Sequence, residues 1–515
     1  MRPVVGAGIS AAEVVRAYPV RAGAAFVAGA LSVFAFEPFG VFPLILVSLA
    51  LLVVCLRGVT RARGGFVIGF AWGFGAFMAG VSWLYVALHR YGGMPMPLAL
   101  LAIALFSAYL ALYPGLAAAL YARFSRCRPA PWQAALAFAA LWATGEMLRG
   151  YLLTGFPWLS IGYSQSRPSP LAGFFPLVGV YGVGFVIAAL AALVALMPRR
   201  RTAVVAAAFV LAGLLGEWSA RHGWTEPGGE PVQVALIQTN IDQGLKWAPD
   251  RLRDWLEVNA RLAREHPADI TVLPETTLPM LADQLPQGYL QALADERRAQ
   301  GGDLVLGVFR RDAEGRIHNS AMSLGESPTQ FYAKHHLVPF GEYSPPLFGW
   351  FYALADIPMS NQSPGPAHQL ALRLGEQRVA VNICYEDVFG REIIRALPEA
   401  TLLLNLSNLA WYGRSFAQPQ HLQIAQARAL ETGRPMLRAT NTGMTALVAP
   451  DGRVQAVMPQ FEQGVLRVSV RGYQGITPYA RWGDQGAALV LAVALLVAWL
   501  AARRGRGFAL RRESQ

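Results

Sequence analysis

Three residues of this 515-residue chain have side chains that could together carry out acyl chemistry: Glu275, Lys334 and Cys384. A thiolate is a strong nucleophile, and a nearby carboxylate can take its proton. An ammonium can stabilise the thiolate and then the oxyanion of a tetrahedral intermediate. Lysine usage draws attention to Lys334. The chain has 42 Arg but only two Lys, Lys246 and Lys334. A lysine then stays where the planar, permanently charged guanidinium cannot replace it. Cys384 has an equal reading as a buried core residue, because a lone cysteine is either a passenger or a reactive thiol. Cys55 lies in an apolar run and Cys127 in a basic loop, so the polar region holding Cys384 cannot form an internal disulfide. His335 and His336 have no Cys, His or carboxylate cluster at metal spacing around them, and neither a metal nor a cofactor is expected.

The elements that must position these residues lie between 226 and 484. Runs at 233–238, 269–273, 303–310, 378–385 and 402–406 read as strands. Segments 249–264, 285–300 and 418–432 read as helices, and further strands fall within 435–470. Glu275 follows the second strand, Cys384 lies at the end of the fourth, and Lys334 follows the short stretch Phe331–Tyr332. Catalytic side chains commonly sit where a strand hands over to a loop. This alternation predicts an α/β layered domain of about 250 residues. Pro227-Gly228-Gly229 reads as a linker into it, and no P-loop or dinucleotide fingerprint follows a strand.

The rest of the chain is different in kind. Hydrophobic residues make up 54% and charged residues 15%, which excludes disorder, while the long apolar runs exclude a single water-soluble globule. Residues 226–484 hold 23 basic and 27 acidic residues, a net of −4, whereas the remainder holds 21 and 5, a net of +16. The positive charge therefore accompanies the apolar segments, where it sets orientation, and marks no nucleic-acid surface. Eight segments read as membrane spans, at roughly 22–36, 41–56, 65–86, 97–121, 132–152, 171–197, 202–216 and 485–502. The first is followed directly by Glu37-Pro38 without a small-residue cleavage site, and reads as a retained span. Every second connection is Arg-rich, which predicts both termini in the cytoplasm and the polar region outside. The expected division is a helical domain over 1–217, the α/β domain over 218–484, and a last span with a basic tail over 485–515. Within span five, Glu146 is either a functional carboxylate or, as the favoured alternative, half of a structural ion pair with Arg149. Residues 347–354 are aromatic and uncharged, so Phe348, Trp350 and Phe351 are candidates for a lid at the membrane interface, with core packing as the alternative.

Five motifs extend this reading: LPETTLP (273–279), KHHLVPFGE (334–342), ICYED (383–387), SNLAWYG (407–413) and RALETGRPMLRATNTG (428–443). They resemble the nitrilase superfamily. With FPWLSIGYSQ (156–165) and the eight spans, the resemblance is closer to its membrane branch, the apolipoprotein N-acyltransferases. It covers nearly the whole chain. It implies an α-β-β-α sandwich on a helical membrane domain, in the bacterial inner membrane with the sandwich on the periplasmic side. It implies transfer of an acyl chain from a phospholipid to the α-amino group of a diacylglyceryl-modified apolipoprotein, in two steps through a thioester. Glu275 matches the family's general base, Lys334 its oxyanion lysine and Cys384 its nucleophile. Glu342, Tyr385, Glu386 and Trp247 match supporting positions, and Asn408 and Trp411 lie in the matching loop. The family usually reads SND-AWFG there. Leu409 replaces its Asp and Tyr412 its Phe, which puts the hydrogen bonding of the loop after Asn408 in doubt. Two alternatives remain: a membrane-tethered amidase using the same triad, and a non-enzymatic scaffold.

Overall fold

The computed structural model describes residues 18–345 and 361–513. Its apolar helices are α1 (Tyr18–Leu31), α2 (Pro43–Leu56), α3 (Ala62–Gly80), α4 (Met96–Ser125), α5 (Pro131–Tyr151), α6 (Phe175–Leu196) and α7 (Thr202–Arg221). Each predicted span coincides with one of these or with the final helix, Pro478–Glu513. Six of the eight are long and apolar enough to cross a membrane. Helix α2 has only 14 residues, and α5, which carries Gln133, Glu146 and Arg149, is not among the six. Helices α3 and α4 approach closely along a stripe of glycines. A Cβ on Gly65 would lie 2.4 Å from the Ala118 carbonyl oxygen, and one on Gly69 2.5 Å from that of Pro114. Lipid tails are as apolar as leucine, so helices in a bilayer associate through such close packing.

Between α7 and the final helix the chain builds thirteen described strands in two sheets. The first sheet comprises β1 (Thr225–Gln238), β2 (Ile270–Val272), β3 (Leu278–Leu281), β4 (Asp303–Arg311), β5 (Ile317–Gly325), β6 (Gln330–Ala333) and, at its edge, β13 (Gly464–Gly475). Its order is β13-β1-β2-β4-β5-β6, with β3 beside β4. The second comprises β7 (Leu372–Leu374), β8 (Gln377–Ile383), β9 (Leu402–Ser407), β10 (Met436–Thr440), β11 (Ala446–Val448) and β12 (Val454–Val457), in the order β12-β11-β10-β9-β8-β7. Parallel neighbours such as β1–β2, β8–β9 and β9–β10 require crossovers, and several of these are helices. Helices α8 (Leu252–Glu265) and α9 (Tyr289–Ala299) bury Leu256, Leu262 and Leu293 against Leu304 and Leu306 on one face of the first sheet. Its other face sets Leu236 and Val305 against Val381, Leu404 and Leu437 of the second sheet. After the short α10 (Gly390–Ile393), helix α11 (Ala417–Thr432) covers the far face of that second sheet. The layers are therefore α-β-β-α.

Helix α11 has no exposed face, since all 16 of its residues are buried. One side, with Leu422, Ala425 and Ala429, meets the second sheet. The other, with Ile424, Ala427 and Leu430, joins the core of the bundle, together with Tyr385, Val388 and Phe389. A helix buried all round lies between two layers. The sandwich and the bundle thus share a core.

The expected linker at Pro227-Gly228-Gly229 is instead part of β1. Gly228 pairs with Gly472 of β13, and a bulge intervenes before Val232. The partner strand lies more than two hundred residues downstream, so nothing local shows the pairing. The last helix, α12, begins at Pro478, seven residues before the expected span.

Candidate active site

Strand β2 ends at Val272, and the chain turns at Glu275 with Thr276 in the left-handed region (φ 52°). The Glu275 side chain is buried and accepts from three donors. Its Oε1 accepts from Asn319 Nδ2 of β5 at 2.9 Å and lies 3.5 Å from Lys334 Nζ. Its Oε2 accepts from the backbone N–H of Asn408, just after β9, at 2.8 Å. These partners come from three strand ends, so only the assembled sheets orient the carboxylate.

Lys334 follows β6, and its backbone N–H donates to the Asn319 carbonyl at 2.8 Å. Its Nζ donates to Glu342 Oε1 at 2.7 Å, while Glu342 Oε2 accepts from the Val338 N–H at 2.8 Å. Burial alone would lower the Lys334 pKa, but Glu342, then Glu275 and Cys384, outweigh it and hold the ammonium above the ordinary lysine range. The cation is thus shared unequally. Glu342 grips it closely, and Glu275 stands farther off with its oxygens held by Asn319 and Asn408.

Cys384 is the first residue after β8. It opens the turn Cys384–Val388 at φ 54°, a conformation that side-chain-bearing residues rarely adopt. Burial pushes its thiol well above the ordinary value; Glu275 adds to the shift and Lys334 opposes it. A thiol so placed is protonated at neutral pH and needs a base. The turn is tied down residue by residue. The Cys384 carbonyl accepts from Asn405 Nδ2 at 3.1 Å. The Tyr385 hydroxyl donates to the Gly155 carbonyl of the helical domain at 3.1 Å. Glu386 accepts from Tyr332 Oη at 2.9 Å and from the backbone N–H groups of Ile383, His335 and His336 at 2.7, 2.7 and 3.0 Å. Burial lifts its carboxyl to about 7, against the pull of Lys334 and those N–H groups. Asp387 lies 2.6 Å from His421 Nε2 and 2.8 Å from Arg438 Nη1.

The structure thus gathers Glu275, Lys334, Glu342 and Cys384, flanks them with Tyr385 and Glu386, and bonds Asn408 to Glu275. Trp247 and Trp411 are not hydrogen-bonded to this set. The Trp247 ring lies 6.0 Å from Phe309, and its buried indole N–H has no partner among the described residues. Trp411 meets Tyr91 edge-on at 5.9 Å. Phe348, Trp350 and Phe351, the lid candidates, lie outside the described residues. Leu409 is buried, and the loop does not depend on its side chain for hydrogen bonds. Asn408 holds that loop: its Nδ2 donates to Gln243 Oε1 at 2.8 Å and its Oδ1 accepts from Asn441 Nδ2 at 3.0 Å.

Sequence reasoning missed Asn319, Asn405 and the Asp387–His421–Arg438 cluster. A signal existed for Asn405, a single amide inside an apolar strand (LLLNLS), but not for Asn319, whose strand (IHNSAMSLG) is itself rich in polar residues. Lys246, given no role, is buried with Nζ 3.4 Å from the Glu275 carbonyl oxygen. Burial lowers its pKa to about 8, with Glu275 opposing.

Comparison with known proteins matches residues 28–193 to the apolipoprotein N-acyltransferase N-terminal domain and residues 233–474 to the carbon-nitrogen hydrolase family. An apolipoprotein N-acyltransferase of Nitrosomonas europaea is 46% identical over 491 residues, 94% of this chain and 98% of the relative. One of Chromobacterium violaceum is 45% identical, covering 94% of each chain. Among solved structures, an amidase from Nesterenkonia sp. aligns with 51% of this chain and 96% of its own, at 19% identity and a TM-score of 0.38. With relatives this similar along nearly its whole length, the chain belongs to the apolipoprotein N-acyltransferase family.

Proposed function

We propose that Cys384, Glu275 and Lys334 carry out the acyl transfer of this family, in which a phospholipid is the donor and a lipoprotein the acceptor. Glu275 takes the Sγ proton as the sulfur attacks an ester carbonyl of the phospholipid. The Lys334 ammonium, held charged by Glu342, stabilises the oxyanion. Collapse expels the lysophospholipid alkoxide, which takes the proton back from Glu275, and leaves a thioester on Cys384. The free α-amine of a diacylglyceryl-modified cysteine then attacks the thioester. Glu275 accepts the amine proton, the amide forms, and the departing thiolate is reprotonated. Glu275 is suited to this shuttling because Glu342, at 2.7 Å, takes the closer grip on the lysine.

The observation that carries the reading is the bond from Tyr385, next to Cys384, to Gly155 of the helical domain. A nucleophile whose turn is tied to an apolar bundle favours a bilayer lipid as donor, because apolar surroundings disfavour competing water. The Arg-rich connections support a topology with both termini in the cytoplasm and the sandwich on the periplasmic side of the inner membrane.

Incubating the purified chain with a defined phospholipid and no acceptor tests the mechanism. Intact-mass spectrometry is expected to find one acyl adduct, released by an amine and missing from Cys384→Ala. Free fatty acid and lysophospholipid accumulating without an adduct would overturn the transferase reading in favour of hydrolysis.

A further inference from the structure

Glu146 and Arg149 lie one turn apart in α5, and both side chains are buried. Their nearest charged atoms are 3.9 Å apart, beyond hydrogen-bond reach. Their hydrogen bonds go to another segment instead. Arg149 Nη1 donates to the carbonyls of Phe156 and Trp158, the latter at 2.7 Å, and Nη2 donates to Ser160 Oγ at 3.1 Å. Glu146 Oε1 accepts from the Ile161 N–H at 2.9 Å. The guanidinium also faces the Phe77 ring, 5.1 Å from its centroid. All these polar contacts converge on residues 156–161. A planar fork with fixed donor directions can hold several oxygens at once, which an ammonium on a flexible stem cannot.

That same segment reaches the Cys384 turn. Gly155, just before it, receives the Tyr385 hydroxyl, and the Phe156 ring stacks on that of Tyr385 with centroids 6.3 Å apart. Gly155 has φ 90°, and a Cβ there would lie 2.2 Å from the Gly150 carbonyl oxygen, so only glycine presents its carbonyl this way. Trp158 donates to Gln420 Oε1 of α11 at 2.8 Å and stacks on His421 at 5.5 Å. His421 in turn holds Asp387, three residues after Cys384, at 2.6 Å. A left-handed non-glycine residue is strained and persists only where its surroundings over-determine it. For Cys384 those surroundings include the helical domain.

We propose that Arg149, steadied by Glu146, is a positioning residue for acyl transfer: it fixes segment 156–161, which through Tyr385 and the His421–Asp387 pair holds the Cys384 turn in its left-handed conformation. This rests on the reading of Cys384 as the nucleophile. The partner chemistry of the intramembrane carboxylate is then a structural loop, and the ion pair is secondary.

The test is single-turnover acylation of the full chain by a defined phospholipid at saturation, followed by intact-mass spectrometry. It reads both the rate constant and the final acylated fraction. Arg149→Lys keeps the charge and loses the fork. Its rate constant is expected to fall about tenfold, since small misplacements of reacting groups are costly, while the final fraction matches the parent. Ser160→Ala, which removes one donor–acceptor pair and is a milder change to the fold, should fall about twofold to threefold. Combining Ser160→Ala with Tyr385→Phe should lose less than the product of the two single losses, because Tyr385 is one of the two routes from the segment to the turn. A reduced final fraction at an unchanged rate constant in both variants would make the role purely structural and overturn the proposal, as would losses that multiply in the double variant. A parent that acylates normally beside variants with its own rate overturns this inference alone. A parent that never acylates overturns the nucleophile reading and this inference with it.

Discussion

Two buried clusters of opposite charge sit in different parts of the molecule, and they use different cations. In the sandwich, Lys334 lies between Glu275 and Glu342 at 3.5 and 2.7 Å, and its ammonium makes direct contact with both carboxylates. In the helical domain, Arg149 is 3.9 Å from Glu146, and its guanidinium is directed at main-chain and hydroxyl oxygens of residues 156–160. The difference reflects the shapes of the two groups. An ammonium is a compact charge that a substrate oxyanion can approach, whereas a guanidinium is a rigid fork suited to holding backbone. In a chain with 42 Arg and two Lys, the lysine at the sandwich site is the exception, and both lysines lie against Glu275. On the proposed mechanism, lysine marks the place of chemistry and arginine the framework that supports it.

The largest effect that would break this contrast is expected from Lys334→Arg. The fork would pair with Glu342 and Glu275 but present no compact charge to the oxyanion, so the acylation rate should fall about 10²- to 10³-fold. Single-turnover acylation measures this, and near-parental rates in Lys334→Arg would dissolve the distinction. Next in size is the pH dependence of Cys384 alkylation. Burial and Glu275 raise its pKa despite Lys334, so the thiol form dominates at neutral pH. Below the pKa the thiolate fraction grows about tenfold per pH unit. Peptide mapping after iodoacetamide treatment should therefore show labelling of Cys384 climbing steadily from pH 7 to pH 9, and a plateau in that range would mean that Lys334 already maintains a thiolate. A smaller effect is expected from Asn319→Ala. This removes the donor held between Glu275 and Glu342, a hydrogen bond to charged groups worth about 1.5–3 kcal/mol. The acylation rate should drop about tenfold with little change in the dependence on phospholipid concentration, and a change confined to that dependence would place Asn319 in lipid binding instead.

Much of the framework was legible in the residues. Apolar run length marked the six helices that are long and apolar enough to cross a membrane, because a helix in lipid must be apolar over about 20 residues whatever surrounds it, while the 14-residue α2 and the more polar α5 fall short of that rule. Strands such as 303–310 and 402–406 were legible because strands buried on both faces read as continuous apolar runs. Strands β5 and β6 were not, since their register depends on β4 and on each other. The glycine-containing start of β1 was mistaken for a linker because its partner, β13, lies at the far end of the domain.

For the site, residue type and motif alone determined Glu275, Lys334 and Cys384 as candidates, since few side chains can serve as base, oxyanion donor and sulfur nucleophile. Tertiary structure alone decided how they relate. The two oxygens of Glu275 are held by Asn319 and Asn408, which lie 44 and 133 residues away in the chain. The Cys384 turn is anchored to Gly155, 230 residues before Tyr385. Hydrogen bonds act over about 3 Å whatever the separation along the chain, so the sequence carries the chemical groups while the packing of two sheets against a helical bundle determines which of them meet.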